Sequence, residues 1–188
     1  MARQAVVPKS ELRDVLLEIY AVNDAMNQLL LAHLEPRAWR CKPPQKSPRG
    51  GRTLAAIFAH LHNCRLVWIK HSAPHLKCPA AIDPDRCTMK QARTALRQSA
   101  VRCLSMLTDA LSDKETRRVT RFSRGGWTQT WPAGATMFGY MFAHEAHHRG
   151  QIILLAKQMG YPLPVGAAYG IWHWEKRWRE CGFKTRPR

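Results

Sequence analysis

The sequence predicts an all-α protein, a four-helix bundle with long connecting loops and a short helix near the C-terminus. Four long segments place apolar residues at three- and four-residue steps, as amphipathic helices do. The sequence has no alternation of strands with helices, no internal repeat and no low-complexity tract. Hydrophobic residues make up 45% of the 188, which favours one packed domain over residues 1–188.

The first helix is predicted from about Ser10 to His33. Ser10 is a candidate N-cap, and Glu11 follows it in the first turn, where the helix dipole favours a carboxylate. The stretch Pro36–Gly51 is rich in proline, glycine and basic residues. This composition indicates a loop.

The second helix is expected from an N-cap at Thr53 to about His71. The three prolines of Ser72–Asp85 indicate a connector. Thr88 and Gln91 have the spacing of a capping box, which predicts that a third helix begins there.

Residues 112–130 are polar and predict a loop, with a short extended piece around Val119–Phe122. Pro132 fits the first turn of a fourth helix that ends near Gly160, a residue suited to the position after a helix. A shorter fifth helix is expected over Gly166–Cys181.

The net charge of +17 makes attraction to nucleic acid a legitimate hypothesis. The basic residues are spread over several regions, however, so solvated surfaces explain them equally well. No apolar run reaches the ~20 residues of a membrane span. The N-terminus lacks the apolar segment of a secretory signal, so we expect a cytoplasmic protein without a membrane partner.

The fourth helix carries two histidines, His144 and His148, that lie four residues apart and therefore on one face. At about 100° per residue, this face also contains Met141 and Ile152, so both histidines should point toward the core. Buried imidazoles need partners, and a metal ion provides them. The pair therefore favours a metal site over two hydrogen-bonded core histidines.

The third ligand must come from another helix, and His60 is the mid-helix histidine on the apolar face of the second helix. His62 is predicted to point away from that face, and His71 lies near the end of the helix. Cys64, one turn after His60, is an alternative ligand or a small buried side chain. His33 is a weaker candidate on the first helix.

Three neutral imidazoles leave one coordination position open, which is typical of catalytic metal sites. An ion there would lower the pKa of a bound water or thiol, so the first hypothesis is a metal-dependent enzyme. Imidazoles suit zinc, nickel, copper and iron alike. Candidate catalytic residues around the ion are Glu145, His147, Tyr140 and Gln151.

The segment His144–His148 also fits H-E-x-x-H, the zinc-protease pattern in which Glu145 would be the general base. The longer metzincin form fails, because Leu154 stands where its third histidine should be. The chain also lacks the strands that line a protease cleft. Glu145 could instead orient a histidine, shuttle a proton or lie at the surface.

A non-enzymatic, metal-stabilised or nucleic-acid-associated protein is the alternative function. It is supported by the basic composition and by Arg124, Trp127 and Trp131 in one loop, where such side chains could stack on bases. Packing of these tryptophans against the bundle is the interpretation we favour.

Four stretches carry a resemblance to a known family. They are Phe58-Ala-His-Leu61 with Arg65 and Trp68, His144-Glu-Ala-His-His-Arg-Gly-Gln-Ile152, Met159-Gly-Tyr-Pro162 and Tyr169-Gly-Ile-Trp-His-Trp174. On these stretches, the sequence resembles the DinB/YfiT-like family of small metal-binding four-helix bundles. The resemblance covers nearly the whole chain, from about Val15 to Gly182.

The resemblance implies a metal triad of His60, His144 and His148 that binds nickel or zinc, and a homodimer. It also implies either transfer of a low-molecular-weight thiol such as mycothiol or bacillithiol to a small-molecule substrate, or hydrolysis. The +17 charge and the long basic loops are outside the shared pattern, so they leave room for an unusual partner.

Overall fold

Four long helices occupy the segments in which apolar residues recur at helical steps. The computed structural model describes residues 9–42, 51–112, 118–129 and 132–183. The long helices are α1 (Lys9–His33), α2 (Leu54–Ser72), α3 (Met89–Leu111) and α4 (Ala133–Gln158). The short elements are a 3-10 turn (Pro36–Ala38), β1 (Phe122–Ser123), β2 (Thr128–Gln129), α5 (Val165–Ala168), a second 3-10 turn (Gly170–Trp172) and α6 (Trp174–Glu180). The predicted all-α bundle is confirmed.

Residues that cap helices act where the sequence predicts them. Thr53 precedes α2, and its hydroxyl accepts a hydrogen bond from the Ala56 N–H at 3.1 Å. Thr88 and Gln91 form both hydrogen bonds of the capping box that opens α3. Gly160 follows α4 with a φ of +80°, a conformation that side chains disfavour.

Two helix starts differ by one residue from the prediction. Helix α1 already includes Lys9, so Ser10 lies within the helix instead of at its N-cap. Pro132 precedes α4 as its N-cap residue instead of standing in the first turn. Both corrections are small, because proline's fixed φ suits either position and helix ends fray.

The segment expected to be extended around Val119–Phe122 forms a small hairpin further along the chain. Phe122 pairs with Gln129, and Ser123 pairs with Thr128, in an antiparallel register. Gly125 and Gly126 both have a positive φ, 68° and 69°, as the central residues of a tight hairpin turn require. The two glycines therefore determine where the strands lie.

The predicted continuous helix over Gly166–Cys181 is wrong. The segment divides into α5, a 3-10 turn and α6, and the break before α6 lies at His173, whose ψ is 64°. A Cβ atom at Gly170 would lie 2.9 Å from Leu29 Cδ2. The absence of a side chain at Gly170 therefore lets the backbone of the second 3-10 turn lie directly against α1.

The bundle contains two apolar clusters separated by a polar layer. One cluster includes Leu30, Leu54, Ile57, Leu96, Ile152 and Ala156. The other includes Tyr20, Trp68, Cys103, Met106, Met137 and Met141. Buried polar side chains lie between them along the helices, namely Asn23, Asn27, His62, Arg65, Ser99, Glu145, His148 and Arg149. Among the described residues, no helix is both long and apolar enough to cross a membrane.

Candidate metal centre

Helices α2 and α4 bring three histidines together. His60 comes from α2, and His144 and His148 lie one turn apart on α4. Each ring offers a nitrogen within 4.8 Å of a nitrogen from both others. The Nε2 atoms of His144 and His148 are 3.2 Å apart. We call these three residues the histidine cluster.

The ring of His148 is oriented by its neighbour one turn away. Its Nδ1 lies 2.7 Å from Gln151 Oε1, an amide oxygen that can only accept, so Nδ1 carries the proton. The Nε2 of His148 is then left with a free lone pair toward His144. The other end of the Gln151 amide lies 3.0 Å from His147 Nε2. Gln151 thus fixes the His148 tautomer that a metal ligand needs.

The histidine cluster is compatible with one divalent ion, since one ring nitrogen of each residue lies within 4.8 Å of those of the other two. A tetrahedral ion with ring nitrogens at about 2.0–2.1 Å separates any two of them by roughly 3.3 Å, close to the 3.2 Å between His144 and His148. His60 and His144 are partly exposed, so solvent or a ligand can reach the cluster.

The histidine cluster is electrically neutral near pH 7. Burial, with Arg52, His148 and Arg124, lowers the pKa of His60 to about 4. Burial, with His148 and His60, lowers the pKa of His144 to about 4. Burial also lowers the pKa of His148. Neutral imidazoles present lone pairs, which is the state that binds a metal ion.

These pKa shifts predict how the stability of the metal-free protein depends on pH. An unfolded histidine titrates near about 6.5, whereas His60 and His144 resist protonation until about pH 4. Between these values the unfolded chain takes up protons that the folded state does not, so the free energy of unfolding falls as the pH falls. Denaturant titrations at several pH values should show a shallower fall for the double variant His60→Ala/His144→Ala. Equal slopes would contradict this assignment.

Aromatic side chains form one wall of the histidine cluster. The Trp68 ring meets the His144 ring edge-on with centroids 5.2 Å apart. Tyr140 lies parallel to His144 at 6.3 Å, with 12° between the ring planes. Arg124 of the hairpin donates to the Tyr140 hydroxyl. Tyr140 therefore connects the hairpin to the histidine cluster. Among the described residues, its hydroxyl forms no hydrogen bond with a histidine nitrogen.

Glu145 lies between the two α4 histidines in sequence, but its side chain enters the bundle core. Its carboxylate is fully buried and receives a bidentate pair of hydrogen bonds from Arg65 at 2.9 and 2.7 Å. It also accepts from Tyr20 at 2.9 Å and from Asn23 and Asn27 at 2.7 and 2.6 Å. Burial alone would raise the pKa of Glu145, but the Arg65 guanidinium and the other donors hold it below its usual value.

This network corrects two expectations for Glu145. A surface position is wrong, because the side chain is fully buried. The general-base role of the protease interpretation has no support, because both carboxylate oxygens are occupied by donors of α1 and α2. Glu145 acts as a structural anion that ties three helices together.

The other candidate ligands on α1 and α2 lie outside the histidine cluster. His33 is exposed on α1, with its Nδ1 2.9 Å from the Leu29 carbonyl, and lies outside the histidine cluster. Cys64 Sγ contacts the His60 ring nitrogens at 3.5 Å but does not belong to the group of mutually close ligand atoms. His62, expected to point away from the core, is fully buried, and its Nε2 lies 2.9 Å from the Ala80 carbonyl. The connector covers it.

The loop with basic and aromatic residues packs on the protein itself. Trp127 meets Phe122 edge-on at 5.9 Å and Tyr140 at 5.4 Å. The Arg124 guanidinium lies 5.8 Å from the Trp127 ring. Trp131 lies outside the described residues. The contacts of Trp127 agree with the packing interpretation of this loop.

Comparison with protein families gives one match. The sequence model of the DinB family matches residues 8–180. No curated protein matches the chain.

Proposed function

The chain belongs to the DinB family, and from this membership and the histidine cluster we propose that it is a divalent-metal-dependent enzyme. His60, His144 and His148 would hold the ion, which we propose to be zinc or nickel. The reaction would be the transfer of a low-molecular-weight thiol to a small-molecule substrate, or a hydrolysis.

The observation that carries this proposal is the convergence of three neutral ring nitrogens from two helices within 4.8 Å. Catalytic metal sites commonly have three protein ligands and one open position, whereas structural zinc sites have four protein ligands. Among the described residues, no fourth histidine, cysteine or carboxylate joins the histidine cluster. A divalent ion would supply the ability to deprotonate a water or a thiol near neutral pH.

The side chains around the histidine cluster have distinct roles in this proposal. Gln151 orients His148 through the hydrogen bond to Nδ1. Trp68 and Tyr140 pack their rings against one side of His144. His147 is exposed and bonded to Gln151, so it is the candidate to exchange a proton with solvent. Glu145 positions α4 and does not contact the reacting groups.

Metal analysis of the wild-type protein tests the proposal. We expect protein purified without an affinity tag to contain about one divalent ion per chain. After chelator treatment, adding Zn²⁺ or Ni²⁺ at ~100 times its Kd should stabilise the fold by about 2.7 kcal/mol, because only the folded state forms the site. Protein that carries no metal and gains no thermal stability from either ion would overturn the proposal.

A further inference from the structure

A cavity of about 410 Å³ opens beside the histidine cluster. Its wall includes His60 of α2, and Arg52 and Lys42, which come from the chain before that helix. Both cationic side chains are exposed, so they can reach a molecule in the cavity. Asn63 and Asp85 add a neutral polar group and one carboxylate. A molecule bound to an ion at the histidine cluster would therefore extend toward more positive than negative charge.

A second guanidinium approaches the histidine cluster from the hairpin. Arg124 is held over the rings of Tyr140 and Trp127, with its Cζ 5.6 and 5.8 Å from their centroids. Arg52 lines the cavity together with His60. The Tyr140 ring under Arg124 lies parallel to the His144 ring, with centroids 6.3 Å apart. Positive charge thus surrounds the histidines from two separate segments of the chain.

Within the described parts of the chain, no carboxylate forms an ion pair with either of these arginines. Neither Arg52 nor Arg124 forms an ion pair there, whereas Arg65 is paired with Glu145 at 2.7 Å. The Glu145 carboxylate is fully occupied by the buried network, so it cannot serve as a partner for either arginine. Lys42 and Arg52 outnumber Asp85 in the cavity wall, and a cavity with net positive charge attracts anions and raises their local concentration.

We propose that the substrate of this site carries an oxyanion, a carboxylate or a phosphate group, that binds Arg52 in the cavity while its reacting end lies at the histidine cluster. Arg52 is a specificity-determining residue in this arrangement, and Arg124 of the hairpin adds to the positive potential. The inference rests on the proposed metal site and names the substrate class of that site. Guanidinium groups bind carboxylates and phosphates through paired hydrogen bonds, which gives the orientation as well as the affinity.

Three small thiols that differ in charge test this inference on the protein loaded with Co²⁺. The probes are 3-mercaptopropionate, 2-mercaptoethanol and 2-aminoethanethiol, and binding is followed by the absorption of the cobalt–thiolate complex. We expect the anionic thiol to bind more tightly than the cationic one. Replacing Arg52 with glutamine should reduce that ratio of affinities by about fivefold to tenfold, the contribution of one partly screened charge pair. The matched control is Arg97→Gln, which removes an exposed arginine of α3 outside the cavity and should leave the ratio unchanged.

The outcomes separate this inference from the proposed function. If the wild type binds no Co²⁺, the metal site itself is wrong. If the wild type binds one Co²⁺ but Arg52→Gln and Arg97→Gln give the same ratio of affinities for the anionic and the cationic thiol, only the anionic substrate class is overturned. The same conclusion follows if Co²⁺ binds but no thiol does. A second measurement needs no variant: the preference of the wild type for the anionic thiol should weaken as salt is added, and a preference independent of salt would also overturn the inference.

Discussion

Replacing Glu145 with alanine is expected to lower the free energy of unfolding by about 3–5 kcal/mol, because it leaves the Arg65 charge buried without its partner. Arg65 is fully buried, and its Nε and Nη2 both donate to Glu145. Asp24 lies 2.9 Å from Arg65 Nη1, but it offers one contact to the guanidinium, so it replaces the two hydrogen bonds to Glu145 only in part. Urea or guanidinium titration of the metal-free protein measures the effect.

Two further variants make the Glu145 result specific. Glu145→Gln keeps the shape of the side chain and removes its charge, so it should also destabilise the protein strongly. Glu175→Ala removes a carboxylate of α6 that is 69% exposed and should leave the free energy of unfolding nearly unchanged. If Glu145→Ala and Glu175→Ala had similar effects, Glu145 would not be the anchor of the buried network.

Replacing His148 with alanine is expected to weaken binding of Zn²⁺ or Ni²⁺ by at least about 100-fold, because loss of one of three ligands costs at least as much as loss of an outer hydrogen-bond partner. His148 supplies the Nε2 that faces His144. Protein dialysed against buffered metal should lose its stoichiometric ion, and added metal should no longer raise its thermal midpoint.

The matched control for His148 is His33→Ala. His33 is exposed at the end of α1 and does not belong to the histidine cluster, so its removal should leave metal content and metal-induced stabilisation intact. Metal bound at full stoichiometry by His148→Ala would show that the ligand set proposed here is wrong, whatever the outcome for His33.

The local parts of the fold are predictable because their determinants lie within a few residues of each other. Thr53 caps α2 through a contact three residues away, and Thr88 with Gln91 opens α3 in the same way. The periodicity of α4 also brings His144 and His148 onto one face, as the structure has them. The sequence predicts only a short extended piece around Val119–Phe122, whereas the strands lie on both sides of the Gly125-Gly126 turn, whose positive φ angles fix the hairpin.

The environment of Glu145 could not be predicted, because all its partners come from other helices. Tyr20, Asn23 and Asn27 belong to α1 and Arg65 to α2, between 80 and 125 residues away along the chain. The same holds for His62, which is buried by the Ala80 segment rather than by its own helix. Helical periodicity assigns a face to a residue, but it does not identify what covers that face.

Glu145 directly follows His144 and lies three residues before His148 on α4, and its carboxylate accepts hydrogen bonds from side chains of α1 and α2. Rotation of α4 about its own axis, or sliding along it, would break these buried bonds before the imidazoles could swing apart. The ring nitrogens of His144 and His148 are therefore held in position by the fold itself, without an ion. If the histidine cluster holds the proposed ion, little of the binding free energy would be lost in ordering the site, and a mutation in the core would change the affinity for an ion that the mutated residue never touches.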